Sequence, residues 1–189
     1  MKLTLIRHGR TEGNERRLYY GSTDLPLLER SVSELAALGL SGSYPKAEHY
    51  YTSGMTRAEQ TLEALYGPVP HEILTDMREI DFGDFEMRTY EELKLDPAFI
   101  EWCTGDNEKN VCPGGESGVM VTERALRCLA PIIAADEDAV IITHGGVIGG
   151  VMASFFPGPD GRYRFTPEPG EGYTAEFIDG IPVSVTKIP

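Results

Sequence analysis

Three features of this sequence predict an α/β fold, a three-layer α/β/α sandwich around a mixed, mainly parallel sheet. Two short β-favouring runs each end in histidine followed by glycine, at Ile6-Arg7-His8-Gly9 and Ile142-Thr143-His144-Gly145. Runs of that kind alternate with segments of helical apolar spacing, the pattern of a sheet covered on both faces. Asp179-Gly180, between two β-like segments, signals an antiparallel hairpin at the end.

Element by element, Lys2 to Arg7 is short and apolar enough for a buried strand. Leu28, Val32, Leu35, Ala36 and Leu38 give helical spacing over Leu27–Leu40, ended by Gly39 or Gly42. His49–Thr52 reads as a strand, Met55–Tyr66 as a helix and His71–Thr75 as a third strand. Thr89 and Glu92 have capping-box spacing, so a short helix is expected there. Pro97–Gly118, rich in Gly, Pro, Asn and Asp, reads as irregular. A long helix follows over Ser117–Ala135, with Pro131 expected to bend or shorten its last turn. Ala139–Thr143 is the clearest buried strand and leads into a helix through Phe155. Tyr173–Ile178 and Pro182–Lys187 form the hairpin.

The chain has 189 residues, enough for one domain with a lid. Thirty acidic against seventeen basic residues leave a formal charge of −13, which repels nucleic acid and anionic lipid. No apolar run approaches the roughly 20 residues of a membrane span, and the apolar start is cut off at Arg7, too early for a secretory signal. Cys103, Cys112 and Cys128 have neither the number nor the spacing of a disulfide framework or zinc site. A cytoplasmic protein with no nucleic-acid or membrane partner is expected. Oligomeric state leaves no signature.

Ligands of open α/β sheets gather at the carboxyl ends of strands, where both His-Gly pairs fall. A lone histidine there is ordinarily structural. Two in matching contexts, one beside an arginine, point to a site, and glycine after each lets backbone approach an oxyanion. Arg7, Arg10, Arg16, Arg17 and Arg57 lie in or after segments feeding the same sheet edge. A guanidinium can hold two phosphate oxygens at once. Arg16 and Arg17 read as solvated surface groups. Arg57 opens a helix, whose amino end also favours an anion; its bland alternative is a surface salt bridge.

Arg7-His8-Gly9, Thr11-Glu12 and Asn14 resemble the signature of the histidine phosphatase superfamily, the phosphoglycerate-mutase-like fold. The likeness continues through Gly21, Asp24, Pro26 and Leu27, then Ser53, Arg57, Ala58 and Gln60-Thr61. It goes on to Glu79, Gly83, Gly115-Glu116-Ser117 and His144-Gly145-Gly146. The resemblance implies a catalytic set of His8, Glu79, Arg7, Arg57 and His144. It implies substrate contacts from Arg7, Thr11, Asn14, Gly21, Ser22, Arg57, His144 and Gly145. His8 would become a phosphohistidine, its other ring nitrogen tied to a backbone carbonyl. Arg7, Arg57 and His144 would surround the phosphoryl oxygens.

Glu79 matches the family's general acid and must carry a proton when the ester binds; Asp81 and Asp84 compete from the same loop. No metal or other cofactor is implied, since histidines and arginines supply the positive charge, and a His8–His144 metal site lacks a third ligand at suitable spacing. Some positions depart from the family. Leu28 and Ser31 stand where relatives often carry threonine and glycine, so capping of that helix is expected to differ. Arg88 replaces a glycine that often follows the acidic loop.

Mutase members carry a longer insertion with a lysine and paired arginines. Between Glu79 and Glu116 this chain has only Arg88, Lys94 and Lys109 as cations. Water is therefore the expected acceptor: a small phosphorylated metabolite is hydrolysed and inorganic phosphate is the product. Short family members of this type include broad-specificity and α-ribazole-phosphate phosphatases. Residues 80–115 are expected to form a lid, with Phe99 and Trp102 either stacking on a ring-bearing substrate or packing the lid down. Mutase-type phosphotransfer and a non-catalytic phospholigand binder are the alternatives.

Overall fold

The computed structural model describes residues 1–106 and 108–189. A six-stranded sheet has the order β4 (Glu72–Ile73), β3 (His49–Thr52), β6 (Ala139–Thr143), β1 (Lys2–Arg7), β7 (Gly172–Ile178), β8 (Ile181–Ile188). The first four strands are parallel, and the hairpin β7–β8 joins β1 antiparallel, giving the mixed, mainly parallel sheet. The central register pairs Ile6 with Ile142 and Arg7 with Thr143, so the residues that follow, His8 and His144, emerge side by side.

Strand periodicity divides the core into two layers. Leu3, Leu5, Ala139 and Ile141 point into one cluster with α6 (Gly118–Ala135) and α7 (Gly145–Phe155), through Val121, Leu129, Val147 and Ile148. Ile6, Val140 and Ile142 point the other way, against α2 (Glu29–Leu40) and α3 (Thr56–Tyr66), through Leu35, Ala58, Leu62 and Leu65. Every residue of β6 is buried, as a strand covered on both faces must be.

The expected elements are present, with shifts at their ends. The third strand is only Glu72–Ile73. The long helix runs Gly118–Ala135 straight through Pro131, capped by Ser117 and closed by left-handed Asp136. The segment expected to be irregular holds a helix, α5 (Pro97–Cys103). The Asp96 side chain accepts the N–H of Ala98, and Pro97 occupies the first turn, where its missing N–H costs nothing. Asn107, in that same segment, lies outside the described residues. Thr89 and Glu92 form the expected capping box at α4 (Tyr90–Leu93).

The departures from the family pattern acquire roles. Leu28 caps α2 with no side-chain bond, while the buried Ser31 hydroxyl accepts the N–H of Arg10 at 2.8 Å. Met87, just before Arg88, has a left-handed backbone, φ 60°. Arg88 starts β5 (Arg88–Thr89), which pairs with β2 (Leu18–Tyr19) in a separate two-stranded sheet. Phe99 is buried in an aromatic cluster with Tyr19, Phe85, Tyr90 and Trp102, which packs α5 against β2. No helix among the described residues is long and apolar enough to cross a membrane.

Candidate active site

The adjacent ends of β1 and β6 set the His8 and His144 rings 5.1 Å apart, both almost fully buried. His8 Nδ1 lies 2.7 Å from the Gly9 carbonyl. A carbonyl only accepts, so Nδ1 carries the proton and Nε2 keeps its lone pair. Burial, then the guanidinium charges of Arg57 and Arg7, hold this imidazole well below its usual pKa of 6.5, outweighing the Gly9 bond. His8 is therefore a neutral imidazole that keeps a lone pair on Nε2.

His144 is neutral for the same physical reasons: burial first, then Arg57, His8, Arg7 and Arg124. Its Nδ1 accepts from Arg57 Nε at 3.3 Å, which puts the ring proton on Nε2, donating to Ser53 Oγ at 2.9 Å. Both nitrogens of His144 are thus engaged by protein groups beside His8.

Arg57 is fully buried. Besides His144, it donates to Gly21 O at 2.8 Å and Thr23 O at 2.9 Å, and it lies over the Tyr20 ring at 5.1 Å. Three of its five N–H donors are committed, leaving two without a hydrogen-bond partner, and its Nη1 lies 3.7 Å from Asp24 Oδ1. Burial lowers its pKa, an effect opposed by Tyr20, Glu79, Asp24 and Glu86. Arg7 donates to Pro167 O at 2.7 Å, while its Nε is buried without a partner.

The loop that meets Arg57 is shaped by Glu86, which the sequence reading did not single out. Its carboxylate accepts the N–H groups of Gly21, Ser22, Thr23 and Phe82 and the Thr23 hydroxyl. The loop lies so close to the Glu79–Asp81 segment that a Cβ on Gly21 would sit 1.6 Å from the Ile80 carbonyl. Gly21 and Ser22 amides are thus spent on Glu86, and the Ser22 hydroxyl on Asp81. Thr11 likewise caps α1 (Glu12–Glu15), its hydroxyl bonded to Asn14 Oδ1 and Tyr20. Asn14 reaches the His8 pocket.

Glu79 stands across that pocket. Its two oxygens accept the N–H of Ile80 and of Gly146, both at 3.0 Å. A Cβ on Gly146 would lie 2.5 Å from Oε1, and one on Gly145 would lie 3.1 Å from Arg7 Cζ, so this glycine pair makes room for Glu79 and Arg7. After His8 the glycine serves packing instead: a Cβ on Gly9 would strike Leu35 and Ser31. Arg124 fixes the Glu79 loop. All five of its N–H groups are used, on both oxygens of Glu116 and the carbonyls of Asp76, Arg78 and Glu79. Asp81 accepts from Ser22 and Gly83 at the loop's turn, away from the pocket lining, and Asp84 takes no part in the lining either.

The result is a pocket of about 300 Å³ lined by Arg7, His8, Asn14, Arg17, Tyr20 and Glu79. Tyr19, Glu79 and Phe82 form walls shared with a second chamber of about 240 Å³, which Trp102, Glu108 and Arg162 complete. The arrangement suits a phosphate in the first space and the rest of an ester in the second. Among the described residues no group of three His, Cys, Asp or Glu is placed to hold a metal ion.

Residues 3–182 match the model of the histidine phosphatase superfamily (branch 1). An adenosylcobalamin/alpha-ribazole phosphatase of Salmonella typhimurium strain LT2 is 32% identical over 188 residues, covering 96% of this chain and 93% of the relative. A 2,3-bisphosphoglycerate-dependent phosphoglycerate mutase of Xanthobacter autotrophicus is 28% identical, covering 76% and 75%. The crystal structure of the alpha-ribazole phosphatase from Shigella flexneri superposes with a TM-score of 0.86 at 24% identity, covering 96% and 93%, and shares the fold. With its two strand-end histidines and its full-length match, this chain belongs to the histidine phosphatase superfamily, branch 1, whose members here are phosphatase and phosphotransfer enzymes.

Proposed function

We propose that this protein is a metal-independent phosphomonoesterase that hydrolyses a small phosphorylated metabolite through a phosphohistidine on His8. The observation that carries this reading is the Gly9 carbonyl on His8 Nδ1, which leaves a neutral Nε2 lone pair in a pocket shared with Arg7 and Glu79. Nε2 attacks phosphorus, and the bond to the ester oxygen breaks. The Glu79 carboxyl gives its proton to the departing alkoxide; the incoming phosphate dianion favours the protonated form it needs. Arg7 and the two uncommitted donors of Arg57 stand around the phosphoryl group, and His144 joins them by turning its Nε2 proton from Ser53 to a phosphoryl oxygen. Asn14 presents its amide from the pocket wall.

Water then attacks phosphorus. Glu79, now a carboxylate, takes the water's proton, the P–N bond breaks, and inorganic phosphate leaves with His8 restored. Water as acceptor is supported by the state of the lid's cations. Arg88 pairs with Asp96, Lys94 with Glu91, and Lys109 with Asp106, so none is free for a second phosphate. The name of the S. typhimurium relative makes α-ribazole phosphate the first metabolite to screen.

Turnover of p-nitrophenyl phosphate in EDTA, with no turnover and no phosphoenzyme in His8→Ala, is the expected result. Phosphate binding without any turnover between pH 5 and 8 would leave a binder instead. Rapid conversion of 3-phosphoglycerate to 2-phosphoglycerate with 2,3-bisphosphoglycerate present, and little free phosphate, would establish phosphotransfer.

A further inference from the structure

We propose that Arg17 is a phosphate-binding residue, a guanidinium at the mouth of the His8 pocket that engages the phosphoryl oxygens of substrate and product. The inference rests on the hydrolase reading above. From sequence alone Arg17 passes for a solvated surface group, and three features of its setting say otherwise.

First, its neighbours are neutralised and it is not. Arg10 faces Glu168 at 3.9 Å, Arg16 pairs with Glu12 at 3.0 Å, and Arg30 pairs with Glu15. Among the described residues Arg17 has no carboxylate within ion-pair distance, in a chain whose net charge is −13. Second, its backbone is left-handed, φ 53°, just past the end of α1, a position that glycine ordinarily fills. Two of the other three non-glycine residues with positive φ are Asp136 and Asp179, a type that tolerates this region. An arginine held at such a cost, beside a catalytic pocket, is the kind of outlier that function maintains.

Third, its placement selects the phosphoryl group over the leaving group. Arg17 lines the His8 chamber with Arg7, Gly13 and Asn14, and it is not among the residues that line the second chamber. The two spaces meet at Tyr19, Glu79 and Phe82. An exposed arginine on the His8 side addresses oxygens on phosphorus, whichever alcohol the ester carries.

The test uses Arg17→Gly and Arg17→Gln with inorganic phosphate as the calorimetric probe, and p-nitrophenyl phosphate and glycerol 2-phosphate as substrates. Loss of one charge-assisted contact is expected to weaken phosphate Kd and both KM values about tenfold, with kcat within about twofold. Arg17→Gly should at the same time melt higher than wild type without phosphate, because the left-handed residue is relieved. Unchanged Kd and KM in the variants, with wild type binding and active, would overturn the role of Arg17 and leave the hydrolase reading standing. A loss confined to one ester would assign Arg17 to the leaving group, and a lower melting temperature in Arg17→Gly would make its side chain structural; either overturns the proposal. A wild type that neither binds phosphate nor cleaves an ester would overturn both readings.

Discussion

Arg124→Gln tests whether Glu79, the proposed proton donor, is held in place from behind. Arg124 lies outside the pocket lining, yet it forks onto Glu116 at 2.9 Å for both bonds and holds the carbonyls of Asp76, Arg78 and Glu79. Its side chain is 14% exposed and that of Glu116 is 22% exposed, so water compensates little for their loss. Breaking one side of a buried pair costs about 3–5 kcal/mol. Partial exposure and the bonds glutamine can remake argue for the lower end, about 3 kcal/mol. For a domain of this size that lowers the melting temperature by about 6–12 °C.

The rate should fall as well, because the Glu79 backbone is no longer fixed. A displacement of roughly 1 Å in a reacting group can cost on the order of 100-fold. The loss belongs to proton donation, so it should be large for an alkyl phosphate and small for p-nitrophenyl phosphate, whose leaving group needs little help. Thermal melts and kcat/KM on both esters read the two effects. Equal losses on the two esters would show that Arg124 does not act through the acid, and an unchanged melting temperature would show that the fork carries no structural load.

Other perturbations follow the same network. Both buried histidines are held neutral, whereas in the unfolded chain they titrate near 6.5. Between their lowered folded values and 6.5 the unfolded state binds more protons, so stability falls with falling pH by up to about 1.4 kcal/mol per unit for each. Urea melts from pH 7.5 to 5.5 should show this slope, and His144→Asn should lessen it; a wild-type stability flat over that range would contradict neutral burial. The same shift keeps His8 unprotonated below pH 6.5, so the acid limb of kcat/KM set by the nucleophile should lie below that of a free imidazole. Glu86→Ala removes five hydrogen bonds to the loop around Gly21 and should destabilise by about 2–4 kcal/mol while weakening phosphate binding; calorimetric phosphate affinity equal to wild type would mean the loop does not place Arg57. Gly146→Ala pushes a methyl group onto Glu79 and should lower kcat on alkyl esters about tenfold or more with a smaller effect on p-nitrophenyl phosphate, as read by initial rates on the two substrates.

The sheet was legible because its signals are local. Leu3, Leu5 and Ile6 of β1 and Ala139, Val140, Ile141 and Ile142 of β6 carry apolar side chains to both faces, and each strand stops at the pair that leads into the site, Arg7-His8 and Thr143-His144. The helix at Pro97 was obscured by its surroundings: the Asp-Pro start that caps it also reads as a turn, and the glycines beyond Thr104 belong to the next segment.

What the sequence could not convey is the layer behind the site. Glu86 and Arg57 meet through the carbonyls and amides of residues 21–23, and Arg124 reaches Glu79 through a main-chain oxygen 45 residues away. Backbone acceptors have no identity in a sequence, so no spacing rule finds a residue whose partners are carbonyls. The signal that was available is charge economy. In a chain with thirty acids and seventeen bases, most cations have a carboxylate nearby. Among the described residues two cations without such a carboxylate, Arg7 and Arg17, face the His8 pocket, while others, Lys46, Arg78 and Arg164, lie elsewhere. An arginine's worth to a phosphate site lies in the donors its own protein leaves free: Arg124 has none and positions, Arg57 keeps two and does both, and Arg17 spends none on the fold.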